Sequence, residues 1–153
     1  MEDIVKKTAN EAPQVTVEKI VNHPVTKVWK ALTDKEQMKQ WFFNLDQFKA
    51  EKGFQFKFAG KGHKGEQYIH ACTITETIPN KKLQYSWTYE GHEGFSLVTF
   101  DLIELEKNQT KVILTHRGLN SFPQNNPDFA PDSFNGGWNH LVGISLPEFL
   151  DKN

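Results

Sequence analysis

Five segments in the middle of the chain alternate apolar and polar residues one by one. In one of them, Leu83, Tyr85, Trp87 and Tyr89 are separated by single polar residues. The other four place their inward positions at Phe54, Phe56 and Phe58, along Gln67–Ile78, at Val98, Phe100 and Leu102, and at Val112, Leu114 and His116. Because successive side chains of a β-strand point to opposite faces, this period predicts strands with one buried and one solvated face. Short polar connections between the segments predict an antiparallel sheet that other elements must cover on one side.

A first strand and two short helices are predicted ahead of these segments. Gln14–Val21 is rich in β-branched residues, which indicates a strand. Pro24 suits the first turn of a helix, and residues 33–36 (TDKE) resemble a capping box in which Thr33 caps a second helix. The apolar faces of the two helices contain Val25, Val28, Trp29 and Leu32 in the first, and Met38, Trp41 and Phe42 in the second. We therefore expect a broken helix pair after the first strand.

The last stretch, Ser133–Leu150, is the one segment with the length and period of a long amphipathic helix. Its apolar face contains Phe134, Trp138, Leu141, Val142, Ser145 and Phe149. Asp132 or Ser133 is the expected N-cap, and the Gly136-Gly137 pair is expected to let another backbone approach closely. Pro147 removes one helical hydrogen bond, which predicts a kink or an early end. This helix is predicted to lie across the curved sheet.

Length and composition indicate one domain and exclude several classes of partner. We expect residues 1–13 to be a flexible leader and residues 14–153 to be a single domain. The chain has 18 basic and 19 acidic residues, and Arg117 is its only arginine, so nucleic-acid binding is not expected. Cys72 is the single cysteine, and no apolar run reaches membrane-spanning length. These features predict a cytoplasmic protein without membrane insertion, either a monomer or a weak homodimer.

Four sequence motifs resemble one known family. They are HPVTKVWKALTD at residues 23–34, LQYSW at 83–87, TKVILTH at 110–116 and GWNHL at 137–141. Together with the element order, they resemble homologues of the activator of heat-shock-protein-90 ATPase, within the START and birch-pollen-allergen superfamily. The resemblance covers roughly residues 14–152. It implies an α+β helix-grip fold, in which a curved antiparallel sheet wraps around a long C-terminal helix and two short helices follow the first strand.

The resemblance also implies a cavity between the sheet and the C-terminal helix, which members of the superfamily use for lipids, steroids, polyketides or no known ligand. The predicted ligand-binding residues are Phe54, Phe56, Phe58, Tyr68, His70, Cys72, Tyr85, Trp87, Phe100, Leu114, His116, Trp138, Leu141, Val142, Ser145 and Phe149. The polar members of this set are hydrogen-bonding points in an aromatic cavity or, alternatively, core residues that a neighbour or a buried water satisfies. The long loop Leu119–Pro131, with Phe122 and Phe129, is expected at the mouth, where it would order on ligand binding, or is a plain connector.

Three functions remain open at this stage. The first is binding of a small hydrophobic ligand, lipid-like or polyketide-like. The second, which the family name suggests, is a co-chaperone-like interaction with a chaperone or another protein in a stress response. The third is a cofactor-independent cyclase or hydrolase in which His70, His116 or a tyrosine acts as general acid or base. No catalytic motif is present, the histidines lack metal-ligand spacing, and neither a metal nor a cofactor is predicted.

Overall fold

A computed structural model describes residues 14–62 and 64–153. The predicted leader at residues 1–13 lies outside the described residues, and so does His63, in one of the short polar connections between predicted strands. Within the described part, the strands are β1 (Gln14–Val21), β2 (Gln55–Lys61), β3 (Gln67–Ile78), β4 (Lys82–Tyr89), β5 (Ser96–Glu106) and β6 (Gln109–Arg117). They form one sheet in the order β1-β6-β5-β4-β3-β2, with every neighbouring pair antiparallel.

The inner face of the sheet follows from the alternation in the sequence. Val17 of β1 pairs with Leu114 of β6, which pairs in turn with Phe100 of β5, and all three are buried. Paired residues of neighbouring strands point to the same side, so the alternating strands together place one apolar row after another on that face. The expected α+β class and the antiparallel sheet are confirmed. Phe54 differs slightly from expectation, since it is half-buried just before β2 begins at Gln55.

Two short helices follow β1 as predicted, but the predicted cap is wrong. Helix α1 spans Val25–Thr33 and helix α2 spans Lys35–Trp41. Asp34 occupies the N-cap position of α2 without a side-chain capping bond. The Thr33 hydroxyl instead donates to the Trp29 carbonyl, 2.8 Å away, because Thr33 is still the last residue of α1. The break between the helices therefore comes from the extended backbone of Asp34, and no capping box forms.

The C-terminal helix is longer than predicted and contains a π-helical turn. It consists of α3 (Pro131–His140), the π-helical turn Leu141–Ser145 and α4 (Leu146–Lys152). Of the two alternatives expected at Pro147, a kink or an early end, the early end is wrong: the helix continues to Lys152, with an irregularity, the π-helical turn, shortly before the proline. Proline has no backbone N–H, so one helical hydrogen bond is lost, and its ring needs space in the preceding turn. The wider π-helical turn provides that space.

The predicted start of this helix is also wrong. Ala130 is the N-cap residue and makes no side-chain capping bond, while Pro131 occupies the first turn. The Ser133 hydroxyl donates to the Pro127 carbonyl at 2.8 Å instead of capping α3. A proline in the first turn has no N–H to satisfy, which reduces the need for a side-chain cap.

The long loop before the C-terminal helix is part of the core. It contains two short 3₁₀ turns, at Leu119–Ser121 and Pro127–Phe129. Phe122 and Phe129 are 2% and 1% exposed, and their rings stack 5.6 Å apart. The expectation that these two side chains order only when a ligand binds is therefore wrong, because they are already packed.

The helices found in residues 14–62 and 64–153 include none that is both long and apolar enough to span a membrane.

Candidate ligand pocket

A pocket of about 310 Å³ lies between one end of the sheet and the C-terminal helix. Its walls come from β2, β3 and β4 on one side and from the loop and α3 on the other. The lining residues are Phe43, Gly60, Lys61, Gly62, Tyr68, His70, Trp87, Tyr89, Asp128, Phe129, Ser133, Phe134, Gly137, Trp138 and Leu141. Most of the side chains in this set are aromatic. The pocket is therefore an aromatic chamber with a few polar groups, which is the usual composition of small-ligand sites.

Glycines keep this pocket open. A Cβ atom built on Gly137 would meet nothing within 4 Å, and the same is true of Gly136. The predicted close backbone approach at this glycine pair is therefore wrong, and the space beside Gly137 is part of the pocket. Gly137 and Lys61 are both exposed and line the pocket from opposite sides. The mouth consequently lies between the end of β2 and the first turns of α3.

His70 is the polar group deepest in the aromatic wall. It is 7% exposed and lies 4.4 Å from the Phe58 ring, stacked at 14°, with the Trp87 ring 5.0 Å away and edge-on. Burial lowers the pKa of His70 to about 4, so the imidazole is neutral at pH 7. The backbone carbonyls of Phe58 and Tyr68 raise the pKa of His70 by less than burial lowers it, although neither meets the geometry of a hydrogen bond.

The ring nitrogens of His70 have no hydrogen-bond partner within the described chain. Nδ1 is fully enclosed and is the one buried side-chain nitrogen or oxygen there that lacks a partner. Buried polar atoms in proteins are nearly always hydrogen-bonded, so an exception beside a pocket points to a missing partner. Gly60 makes room for this ring, since a Cβ there would lie 2.7 Å from His70 Cε1.

A second polar group sits at the rim of the pocket. The Tyr68 hydroxyl donates to Asp128 Oδ2 at 2.6 Å and accepts a hydrogen bond from Asn126 Nδ2 at 3.2 Å. The bond to Asp128, with burial as a smaller cause, raises the pKa of Tyr68. These bonds tie the loop to β3, so the loop wall of the pocket is held in place by side chains from both elements.

His116 has a different role from His70, although both lie on the inner face. It is fully buried, and Trp138 Nε1 donates to its Nδ1 at 3.0 Å. Its Nε2 lies 2.8 Å from the Ser96 hydroxyl, which donates to the Trp87 carbonyl at 2.7 Å. Since Nδ1 accepts, the proton must sit on Nε2, and each polar side-chain atom of Trp138, His116 and Ser96 in this network has a partner. Burial lowers the pKa of His116 to about 3, with a smaller contribution from His70.

The pocket gathers only part of the set that the sequence predicted. Tyr68, His70, Trp87, Trp138 and Leu141 line it. The remaining predicted residues do not: Phe54, Phe56, Phe58, Cys72, Tyr85, Phe100, Leu114, His116, Val142, Ser145 and Phe149.

Several of the residues outside the pocket have other partners or are core residues. The Ser145 hydroxyl donates to the Trp41 carbonyl at 2.8 Å, which joins the C-terminal helix to α2. Cys72 is buried in the core, where burial raises the pKa of its thiol, so a thiolate nucleophile does not form there at neutral pH. These residues shape the core around the pocket rather than its surface.

Sequence reasoning missed several of the residues that complete the wall. Asp128 belongs to a proline-rich loop, and a loop's side-chain directions cannot be derived from periodicity. Phe129, from the same loop, was expected at the mouth and lines the pocket. Phe43 could have been predicted, because it directly follows Trp41 and Phe42, which belong to the predicted apolar face of α2.

Across the part of the chain that the structure describes, no three histidine, cysteine or carboxylate residues come together as a possible metal site.

Comparison with known proteins identifies the family. The model of the family described as Activator of Hsp90 ATPase homolog 1-like protein matches residues 22–151. The chain belongs to this family. Comparison with curated proteins gave no match. The predicted resemblance is thereby confirmed, and the START-like fold that it implied agrees with the sheet and helices described above.

Solved structures with the same fold include proteins from several bacteria. A protein from Mesorhizobium loti is 27% identical, with a TM-score of 0.75, over 92% of this chain and 98% of that one. A protein from Bacillus halodurans is 27% identical, with a TM-score of 0.69, over 90% and 96% of the two chains. DynU16, from the dynemicin biosynthetic locus, is 22% identical with a TM-score of 0.71, and the match covers 90% of this chain and 47% of DynU16. These similarities establish a shared fold.

Proposed function

We propose that this protein binds a small hydrophobic molecule in the pocket between the sheet and the C-terminal helix. The observation that carries the proposal is an aromatic chamber of about 310 Å³ whose mouth is kept open by Gly137. That volume lies at the lower end of the range for small-molecule sites, which suits a ligand of about two fused rings. START-like folds often hold hydrophobic ligands, and DynU16 comes from a biosynthetic locus, which is consistent with this proposal.

The chemistry of the wall supports binding more than proton transfer. His70 is surrounded by aromatic rings, and no hydrogen bond joins it to a carboxylate of the described chain. A neutral imidazole with its pKa near 4 is a weak base at pH 7. The raised pKa of Tyr68 likewise disfavours loss of its proton. Neither His70 nor Tyr68, two of the groups that the enzyme hypothesis would use, is therefore activated as an acid or base in this pocket.

A pair of glycine substitutions tests the proposal. Gly136 and Gly137 are neighbours in α3, both are exposed, and both have open space at the Cβ position, but only Gly137 lines the pocket. We expect Gly137→Leu to weaken binding of the uncharged naphthalene ketone prodan at least about tenfold, and Gly136→Leu to change it less than about twofold. Binding is measured by the blue shift and increased intensity of prodan fluorescence.

Both variants should fold. Leucine has a higher helix propensity than glycine by roughly 0.5–1 kcal/mol, so neither variant should melt below the unsubstituted protein. If prodan does not bind, or binds equally well to both variants, the pocket is not a ligand site. The co-chaperone-like interaction would then become the leading hypothesis.

A further inference from the structure

We infer that the ligand is an uncharged, planar aromatic molecule carrying an oxygen that hydrogen-bonds to His70. This inference rests on the proposed function and narrows its ligand class. It follows from three separate features of the pocket: the shape of the walls, the unpartnered imidazole and the distribution of charge.

The walls favour a flat ring system over a flexible chain. The ring centroids of Trp87 and Trp138 lie 5.4 Å apart, and those of Phe129 and Tyr89 lie 4.9 Å apart. Among the described residues of the lining, Leu141 is the only leucine, isoleucine or valine. Rigid aromatic surfaces interact best with another ring, face to face or edge to face, and a planar guest loses little conformational entropy on entering. A long acyl chain has neither advantage.

The imidazole of His70 supplies the polar contact. A neutral imidazole carries one N–H donor and one acceptor nitrogen. The enclosed Nδ1 has no hydrogen-bond partner, whereas Nε2 is the ring nitrogen that is not fully enclosed. Nε2 is therefore the atom that can hydrogen-bond to a guest, as donor or as acceptor according to the tautomer. A hydroxyl group of the guest suits both tautomers, because it can accept from an N–H and donate to an unprotonated nitrogen.

The charges of the lining exclude an anionic ligand from the interior. Lys61 and Asp128 carry the formal charges of the lining residues at pH 7, and both lie toward the rim, on the β2 end and the loop. A carboxylate placed among the rings near His70 would have no cationic partner there. Burial of an unpaired charge is strongly unfavourable, so a fatty acid or an aromatic acid should bind poorly.

Three naphthalene compounds test this inference in the full-length protein. Isothermal titration calorimetry at pH 7 would compare naphthalene, 2-naphthol and 2-naphthoate. One hydrogen bond between neutral groups corresponds to about three- to tenfold in affinity, so 2-naphthol should bind that much more tightly than naphthalene. We expect 2-naphthoate to bind more weakly than naphthalene.

Substitution of His70 separates the hydrogen bond from the ring contacts. In His70→Phe the ring is kept and the nitrogens are lost, so naphthalene affinity should change less than about threefold while the advantage of 2-naphthol disappears. If this variant does not fold, Gly60→Ala provides a second test, in which the readout is the ratio of the 2-naphthol and naphthalene affinities. Its Cβ displaces the imidazole edge 2.7 Å away, so this ratio should fall toward one even if the added methyl group weakens the binding of both compounds.

The outcomes distinguish this inference from the proposed function. Equal affinities for naphthalene and 2-naphthol, an advantage of 2-naphthol that survives in both variants, or tightest binding of 2-naphthoate would each overturn the inference and leave the pocket as a ligand site. Failure of all three compounds to bind would overturn the proposed function itself.

Discussion

Two buried histidines on the same face of the sheet show how neighbours decide what a residue does. His116 accepts from Trp138 and contacts the Ser96 hydroxyl, so its ring is fully satisfied and connects the helix to three strands. His70 has no such partners, and its polar capacity is left for the pocket. The alternation of apolar and polar residues predicted that both side chains face the interior. It could not distinguish their roles, because their partners come from distant parts of the chain.

The Trp138 side chain is expected to be a major contributor to stability. It is 2% exposed, it fills the space between the C-terminal helix and the sheet, and its N–H satisfies His116. Trp138→Ala should lower the free energy of unfolding by roughly 3–5 kcal/mol, through loss of packing and an unpartnered histidine nitrogen. Urea unfolding at pH 7 measures the loss.

Two further variants serve as controls for this test: a milder substitution of Trp138 and the same alanine substitution at another tryptophan. Trp138→Phe keeps a ring and removes the N–H donor, so the loss should be roughly 1–3 kcal/mol. Trp29 is only half-buried, and Trp29→Ala should therefore cost less than Trp138→Ala. A loss below about 1 kcal/mol for Trp138→Ala would contradict the helix-to-sheet contact described here.

At the scale of elements, periodicity predicted the strands more accurately than the helix ends. The structure has β1 at Gln14–Val21 and β3 at Gln67–Ile78, both with the predicted bounds. An alternating pattern specifies a strand and its buried face together, since a shift of one residue would turn every side chain outward. A helix end depends on how the chain enters it, so the hydroxyls of Thr33 and Ser133 found backbone carbonyls instead of capping positions.

Substitution of Thr33 shows whether its hydroxyl bonds within α1 or caps the N-terminus of α2. Because the Thr33 hydroxyl donates to the Trp29 carbonyl within α1 and caps nothing, Thr33→Ala should change the free energy of unfolding by less than about 0.5 kcal/mol. A true N-cap would lose about 1 kcal/mol. Thermal or urea unfolding that shows a loss of 1 kcal/mol or more would mean that Thr33 caps α2 in solution.

For the whole molecule, the two buried histidines predict a loss of stability in mild acid. The pKa values of His70 and His116 fall to about 4 and about 3, below the value of 6.5 expected when the chain is unfolded. The unfolded state therefore binds more protons below pH 6.5, and stability is complete above that pH and decreases as the pH falls toward 4. Between pH 7 and pH 5 each histidine should contribute a loss of roughly 2 kcal/mol.

Urea unfolding at pH 7, 6 and 5 checks this expectation in a range above the titration of ordinary carboxylates. In His70→Phe the decrease between pH 7 and pH 5 should be about half as large, because only His116 then contributes. A stability that does not change over this range would show that both rings become protonated without disturbing the fold.

The pocket itself is a property of the whole molecule and was the least predictable feature. Its mouth lies between the end of β2 and α3, which are far apart in the sequence and meet only because the helix crosses the sheet. The family resemblance implied a cavity in this place. Its lining residues, such as Phe43 and Asp128, depend on loop conformations that no periodic pattern encodes.

The tryptophan pair in the wall gives the molecule an internal optical reporter. Two of the four tryptophans, Trp87 and Trp138, lie with ring centroids 5.4 Å apart and planes inclined at 58°. Both border the pocket, and one belongs to the sheet while the other belongs to the helix. Indoles this close couple their excited states, so near-ultraviolet circular dichroism carries a signal that depends on the relative position of the two layers. The chain thus reports, without any label, whether the helix remains seated on the sheet.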